Sequence, residues 1–288
     1  MISGILNINK PAGITSHDVV AVVRKIFKGT KVGHTGTLDP LATGVLPICI
    51  GKATKLSDKL TSKDKEYRVK MLLGIETDSY DITGKVVAAN AVNVDEIYVR
   101  ERIKRFIGKQ MQKPPIYSAI KKDGKKLYEY AREGKTIDIP EREIEIFSIE
   151  NINLDLEKNE VSFDVHCTKG TYIRSLVHDI GQKIGCYATM TELIRLKSGD
   201  FKLKDSIELT EYIKLDYLDM LKKVVTIEQY YRENKRIVLE NDEVFKFLNA
   251  VSIDMDSSDK LVRVYNNNKF IGIGDIKDNK LKRYLVED

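Results

Sequence analysis

The sequence predicts an α+β body followed by a small all-β module. Apolar residues alternate in two separate stretches, Tyr67, Val69, Met71 and Leu73, and then Val161, Phe163, Val165 and Cys167. That spacing is expected of strands with one buried face. Helical periodicity appears between and around them, as in Val19, Val20, Val23, Ile26 and Phe27. Past about residue 226, short apolar runs at 261–265, 270–274 and 281–285 are joined by Asn266-Asn267-Asn268 and Asp278-Asn279, which are turn signals.

In chain order, residues 5–9 read as a strand closed by Lys10-Pro11-Ala12-Gly13. Thr15 or Ser16 offers an N-cap for a helix through Phe27, and Gly29 stands where a helix stops. Val45-Leu46-Pro47-Ile48-Cys49-Ile50 is a continuous apolar run, followed by the strand containing Tyr67 and a polar turn at 77–84. Residues 94–107 look helical, with Asn93 or Asp95 near the start and Gly108 just past the end. From 109 to 134 the character changes. Lys113-Pro114-Pro115 and Tyr117-Ser118-Ala119 lead into Lys121, Lys122, Lys125 and Lys126, with Tyr128, Tyr130 and Arg132 close behind. Basic side chains interleaved with aromatics suit phosphate contact and base stacking, although a charge run is also the mark of a solvated face. Strands resume at 143–149 and 159–167. Gly170-Thr171-Tyr172-Ile173-Arg174 then opens a helix carrying Leu176, Val177, Ile180 and Ile184. Tyr172 and Arg174 therefore stand at a strand-to-helix junction, placed for a pocket, although core packing would use Tyr172 equally well.

The chain is long enough to bury a large core as one domain or two unequal ones. No apolar stretch approaches the ~18 residues of a membrane span. The opening MISGILNINKPAG lacks a basic region followed by a long apolar segment, so no secretory signal is expected. Cys49, Cys167 and Cys186 are odd in number, far apart and outside any CxxC pair, which points to reduced thiols and a cytoplasmic location. A net charge of +5 permits a polyanionic partner.

The stretch 31–51, KVGHTGTLDPLATGVLPICIG, places one carboxylate, Asp39, in a loop of glycines, threonines and Pro40. Pro40 biases Asp39 toward extended angles, and the threonine hydroxyls can satisfy loop amides. Such a loop reads either as a tied surface turn or as a rigid mount for an acid at the lip of a buried strand. Gly51-Lys52 is not a phosphate loop, because the pattern fails at Leu46 and Ala53. The H-x-E and P-C-x-x-C of zinc deaminases are missing. His17, His34, His166 and His178 do not pair with cysteines at chelating spacings. Chemistry at Asp39 is thus expected to need neither metal nor cofactor.

Gly33-His34-Thr35-Gly36-Thr37-Leu38-Asp39-Pro40-Leu41-Ala42-Thr43-Gly44 resembles the catalytic motif of the TruB family of tRNA pseudouridine synthases. Further motifs follow in the family's order: Lys10 to Ser16, Lys65-Glu66-Tyr67-Arg68-Val69, Pro114-Pro115 with Gly124 to Glu129, and Cys167 to Arg174. The resemblance implies a pseudouridine-synthase fold, with a central mixed, mainly antiparallel sheet flanked by helices and a small β-barrel-like PUA module. It implies a catalytic domain at 1–228, with an RNA-clamping insertion at about 109–134, and a PUA-like RNA-binding domain at 229–288.

The implied activity is isomerisation of the T-loop uridine at position 55 of tRNA, by base flipping and without a cofactor. The implied partner is tRNA, with no membrane, and the protein is expected to be a monomer. By carry-over Asp39, Tyr67, Tyr172 and Arg174 are catalytic. His34, Leu193, Lys10, Lys121, Lys122, Lys125 and Lys126 would touch substrate. At Ile194, where family members often carry a second arginine, this chain differs. The alternative function is a tRNA-binding or folding protein whose main role is non-catalytic. Guide-directed modification of other RNAs is disfavoured by the lack of long basic extensions.

Overall fold

The computed structural model describes residues 2–118, 120–135 and 137–287. Ala119 and the side chain of Arg132, both read from sequence as part of the insertion, lie outside the described residues. An 11-stranded sheet organises the body. Its main path runs Ile207–Glu208, Gly4–Lys10, Thr43–Ile50, Ala188–Ser198, Lys65–Leu73, Glu160–Cys167, Arg142–Asp155 and Gly108–Gln112. Most neighbours on the path are antiparallel. Thr43–Ile50 meets Ala188–Ser198 in parallel, with Arg195 opposite Gly44, and Ile207–Glu208 lies parallel to Gly4–Lys10. The sheet is therefore mixed and mainly antiparallel, and the body is α+β.

Burial follows the alternation in the sequence. Along Lys65–Leu73 the odd residues are buried, and Phe163 and Val165 of the next strand join them. Three helices cover this face: Ser16–Ile26, Glu96–Lys104 and Ile173–Ile184. The first is capped by Thr15 in a reciprocal box with Asp18, which satisfies amides that a helix start leaves open. The second starts at Asp95 and stops at Lys104, three residues short of the sequence expectation. Arg105 to Ile107 form turns instead. Gly108, at φ +112°, redirects the chain into Gly108–Gln112, which pairs with Arg142–Asp155 as the sheet's edge. The segment at 109–134 is thus rooted in the main sheet. After it come a Lys121–Lys122/Lys125–Lys126 hairpin and the short helix Leu127–Arg132.

On the other face, Ile5, Val45 and Cys49 point away from the helices and into a second core with Leu56, Leu60, Phe201, Ile227, Tyr231, Ile273 and Leu285. The C-terminal five-stranded sheet docks here, in the order Arg236–Val238, Leu261–Asn266, Lys269–Lys277, Lys280–Val286 and Ile253–Asp254. Its first strand is parallel to the second. The helix Asn241–Leu248 packs Phe247 into this module's own core. The strand that follows the Asp39 loop is therefore shared between two cores, with Leu46, Ile48 and Ile50 in one and Val45 and Cys49 in the other.

Because those cores share a strand, the body and the C-terminal sheet are expected to unfold together. Leu60→Ala removes a buried side chain between them and should cost about 2–5 kcal/mol. Denaturant unfolding followed by probes in each part should show coincident midpoints, both lowered. A shift confined to one probe would contradict the shared core.

Candidate active site around Asp39

Asp39 lies in the loop between Val32–His34 and Thr43–Ile50, two strands that pair with each other. The loop closes with a turn in which the Ala42 amide donates to the Asp39 carbonyl at 3.0 Å, and Pro40 suits the turn's second position. The backbone on both sides of Asp39 is held by the Lys10–Ser16 segment. The Ser16 hydroxyl accepts from the Leu38 amide at 2.8 Å and donates to the Leu38 carbonyl at 3.1 Å. The Gly13 amide donates to the Pro40 carbonyl at 2.8 Å. Lys10 donates to the carbonyls of Pro11 and Ile14 at 2.8 Å and reaches that of Pro40 at 3.4 Å.

Arg195 underlies the loop. Its guanidinium donates to the carbonyls of Val45 at 2.6 Å, Gly36 at 3.1 Å and Thr37 at 3.5 Å. Gly44 permits the close approach: a Cβ there would lie 2.3 Å from the Arg195 carbonyl oxygen, on a backbone with φ +103°. Only glycine meets both conditions at low cost.

The Asp39 carboxylate points at Arg174. Nε of Arg174 lies 2.9 Å from Asp39 Oδ2, with the arginine side chain 5% exposed and that of the aspartate 37% exposed. The same guanidinium donates to the carbonyls of Ser79 at 3.1 Å and Tyr117 at 2.8 Å, and Nη1 stands 3.6 Å from Asp81 Oδ2. Arg174 is brought here because it occupies the first turn of Ile173–Ile184. The entry to that helix is fixed by Gln112, which exchanges hydrogen bonds with the amide and carbonyl of Tyr172 at 2.8 and 3.0 Å.

The charges act on Asp39 in opposite directions. Crowding by protein pushes its carboxyl above the ordinary aspartate range; Arg174 opposes this, and the nearby Asp81 adds to it. Lys10 is fully buried and lowered to about 8 by desolvation, against the pull of Asp39. Burial likewise raises the Tyr67 phenol, with Arg195 opposing. His34 is driven down to about 4, chiefly by burial and further by the nearby Arg195 guanidinium, so its ring is neutral at pH 7. It packs edge-on against His17, centroids 5.2 Å apart.

Some of the residues expected from sequence are placed together in the structure. Asp39 and Arg174 touch, and Tyr67 pairs across strands with Arg195. Leu193, two residues from Arg195 on the same strand face, is buried opposite Val69. Tyr172 is half-buried at the start of the Arg174 helix.

Lys10, expected to touch substrate, is corrected to a buried clamp, since it has no exposed surface and its ammonium is turned onto backbone carbonyls. Among the hairpin lysines, Lys121 is exposed. Lys125 pairs with Glu133, Lys122 donates to the Asp138 carbonyl, and Lys126 donates to the Tyr128 hydroxyl at 3.2 Å. Strand alternation turns Ile194, where family members often carry an arginine, to the face opposite Leu193 and Arg195. Sequence reasoning did not single out Asp81, Gln112, Ser16 or Arg195 as site residues. For Ser16 the available signal was its place in the Lys10–Ser16 motif. Among the described residues, no three side chains of His, Cys, Asp or Glu converge as metal ligands.

Residues 24–173 match the TruB family pseudouridylate synthase N-terminal domain. Residues 174–233 match the tRNA pseudouridylate synthase B C-terminal domain, and 236–283 the C-terminal domain of pseudouridine synthase II TruB. The chain is 48% identical to tRNA pseudouridine synthase B of Clostridium kluyveri, over 97% of each chain. It is 44% identical to that of Fusobacterium nucleatum, over 96% of this chain and 97% of the other. Its fold is similar to one in the crystal structure of a Cbf5-Nop10-Gar1 complex. There the TM-score is 0.69 and the identity 28%, covering 99% of this chain and 83% of that one. The chain belongs to the TruB family of pseudouridine synthases.

The opposing charges give a direct test. Carboxyl NMR of Asp39 should show titration above the ordinary value of about 3.9. Asp81→Asn removes a like charge and should move that titration down. Titration below the ordinary value, or indifference to Asp81→Asn, would contradict the electrostatic arrangement.

Proposed function

We propose that this TruB-family chain isomerises the uridine at position 55, in the T loop of tRNA, to pseudouridine. The observation that carries the reading is one carboxylate, Asp39, held by Arg174 in a loop whose backbone is clamped on both sides. The relatives named tRNA pseudouridine synthase B match over nearly their whole length at 43–48% identity, well above the 25–28% of the ribonucleoprotein neighbours. That difference favours tRNA as substrate, acted on by a stand-alone protein. The natural setting is the cytoplasm, and the active form is a monomer.

In the reaction the N1–C1′ bond breaks, the uracil rotates, and C5 bonds to C1′. C5 gives up its proton and N1 ends with one, so atoms and electrons balance without oxidant, reductant or energy source. Asp39 serves either as the nucleophile at C1′ or as the base that removes the 2′ proton and opens a glycal route. Both need the ionised carboxylate, which Arg174 stabilises within the closed site. Extruding the uridine from its stack costs a few kcal/mol. Tyr67 supplies a face for the flipped base and Leu193 an apolar wall. Tyr172 lies beside the ribose and relays the C5 proton. His34 fills the vacated space; as a neutral ring it enters the stack without stripping water from a charge. The segment at about 109–134 clamps the T arm, and the PUA-like part at 229–288 adds RNA contact.

Asp39→Asn should abolish product while leaving tRNA affinity within about threefold, read by site-resolved pseudouridine mapping on unmodified tRNA. Undiminished conversion would remove Asp39 from the mechanism. Replacing Lys121, Lys122, Lys125 and Lys126 by alanine should weaken binding and flatten its salt dependence, by about 0.7–0.9 in logarithmic slope for each phosphate no longer neutralised. An unchanged slope would mean that the hairpin does not meet the RNA.

A further inference from the structure

We infer that Tyr80 is a positioning residue for Arg174, holding its partners in place through a ring stack on His178. The inference rests on reading Arg174 as the partner of the reacting carboxylate. Tyr80 has φ +63°, an uncommon backbone for a bulky residue that persists only where its surroundings hold it. Its ring stacks on the His178 imidazole with centroids 4.0 Å apart and planes 30° apart. His178 is held in turn by Glu76, whose Oε1 lies 3.2 Å from Nε2, and Glu76 accepts from Gln182 at 2.8 Å. The backbone of Tyr80 is engaged as well, its amide donating to the Thr77 carbonyl at 3.2 Å and its carbonyl accepting from Met190 at 3.1 Å.

The two neighbours of Tyr80 are the groups that Arg174 uses. The Ser79 carbonyl accepts from Nη1 at 3.1 Å, and the Asp81 carboxylate stands 3.6 Å from the same nitrogen. The turn is stiff within itself. Asp81 Oδ1 accepts from the Ser79 hydroxyl and from the Thr83 amide, each at 3.0 Å. A Cβ on Gly84 would lie 2.3 Å from Ser79 Oγ. A stiff turn moves as a unit, so its placement against the helix Ile173–Ile184 depends on how the two are joined.

That helix grips the turn twice, from residues one turn apart: Arg174 holds Ser79 and Asp81, and His178 holds Tyr80. Without the ring stack, Tyr80 keeps its backbone hydrogen bonds to Thr77 and Met190 but loses the side-chain contact that ties the turn to the helix, and the carbonyl and carboxylate beside it lose their aim at Arg174. The guanidinium then loses its fixed orientation toward Asp39. The Tyr80 hydroxyl makes no hydrogen bond among the described residues, so the ring is the working part.

The test uses the full-length protein, with one readout independent of activity. In the unsubstituted protein, ¹⁵N NMR should find a slowly exchanging Nε–H of Arg174. Tyr80→Gly, which relieves the backbone strain but removes the ring, should speed that exchange at least tenfold. It should also lower the single-turnover rate on bound tRNA at least tenfold, with tRNA affinity within twofold. His178→Ala should do the same without touching the turn, and the double variant should be no worse than the worse single one. Tyr80→Phe keeps the stack and should behave as unsubstituted protein. Unchanged Nε–H exchange in both Tyr80→Gly and His178→Ala, or multiplying rate effects in the double variant, would overturn the inference. If the exchange responds as expected but no tRNA is converted by the unsubstituted protein, the positioning role stands and the functional reading falls.

Discussion

The guanidinium of Arg174 is the constraint on which the rest depends. Burying a charge of that kind is costly unless partners surround it, and here the partners come from separate parts of the chain. Asp39 arrives from the loop before Thr43–Ile50, Ser79 and Asp81 from the turn after Lys65–Leu73, and the Tyr117 carbonyl from the segment beyond Gly108–Gln112. The charge cannot be satisfied unless all three segments converge, so the fold and the site are specified together. One fork-shaped cation suits this task because its donors leave in fixed directions in one plane.

The loop that bears Asp39 is held from below by a different device. Ser16, Gly13 and Lys10 take the carbonyls or amides of the residues flanking it, and Arg195 takes three more carbonyls. Cations turned onto backbone oxygens leave few ways for the loop to rearrange. They also set positive charge beneath Asp39, opposed from the side by the Asp81 carboxylate. The sharing of Val45 and Cys49 with the C-terminal core extends this rigidity to the module behind the strand.

Much of this was legible in the sequence because local rules and global fold agree there. The alternating strands and the capped helix at Ser16–Ile26 follow from residue spacing and cap chemistry, whereas the Asp39 loop reads two ways from its residues and is singled out only by its resemblance to a family motif. The central strand Ala188–Ser198 was not legible, because Thr189, Glu192, Arg195 and Lys197 give it a polar look. Its burial depends on Arg195 finding carbonyls contributed by a distant loop. Lys10 misled for the same reason: a lysine at a motif's edge looks like a ligand contact, and only the three-dimensional path shows carbonyls enclosing it. Asp81 looked like one more acid in a polar turn, since its partner lies far along the chain. In the C-terminal module, Arg236–Val238 is too short to announce itself and gains its identity from pairing with Leu261–Asn266.

The most direct measurement is the single-turnover rate of uridine conversion by Arg174→Lys on saturating unmodified tRNA, with affinity measured in parallel. A lysine keeps the positive charge but cannot face Asp39, Ser79, Asp81 and Tyr117 at once. The account predicts a fall of at least about 100-fold in rate, a reduction typical of a removed electrostatic interaction in a closed site, with affinity little changed. A rate within a few-fold of the unsubstituted protein would show that charge alone suffices and that the geometry built around Arg174 is not what makes Asp39 react.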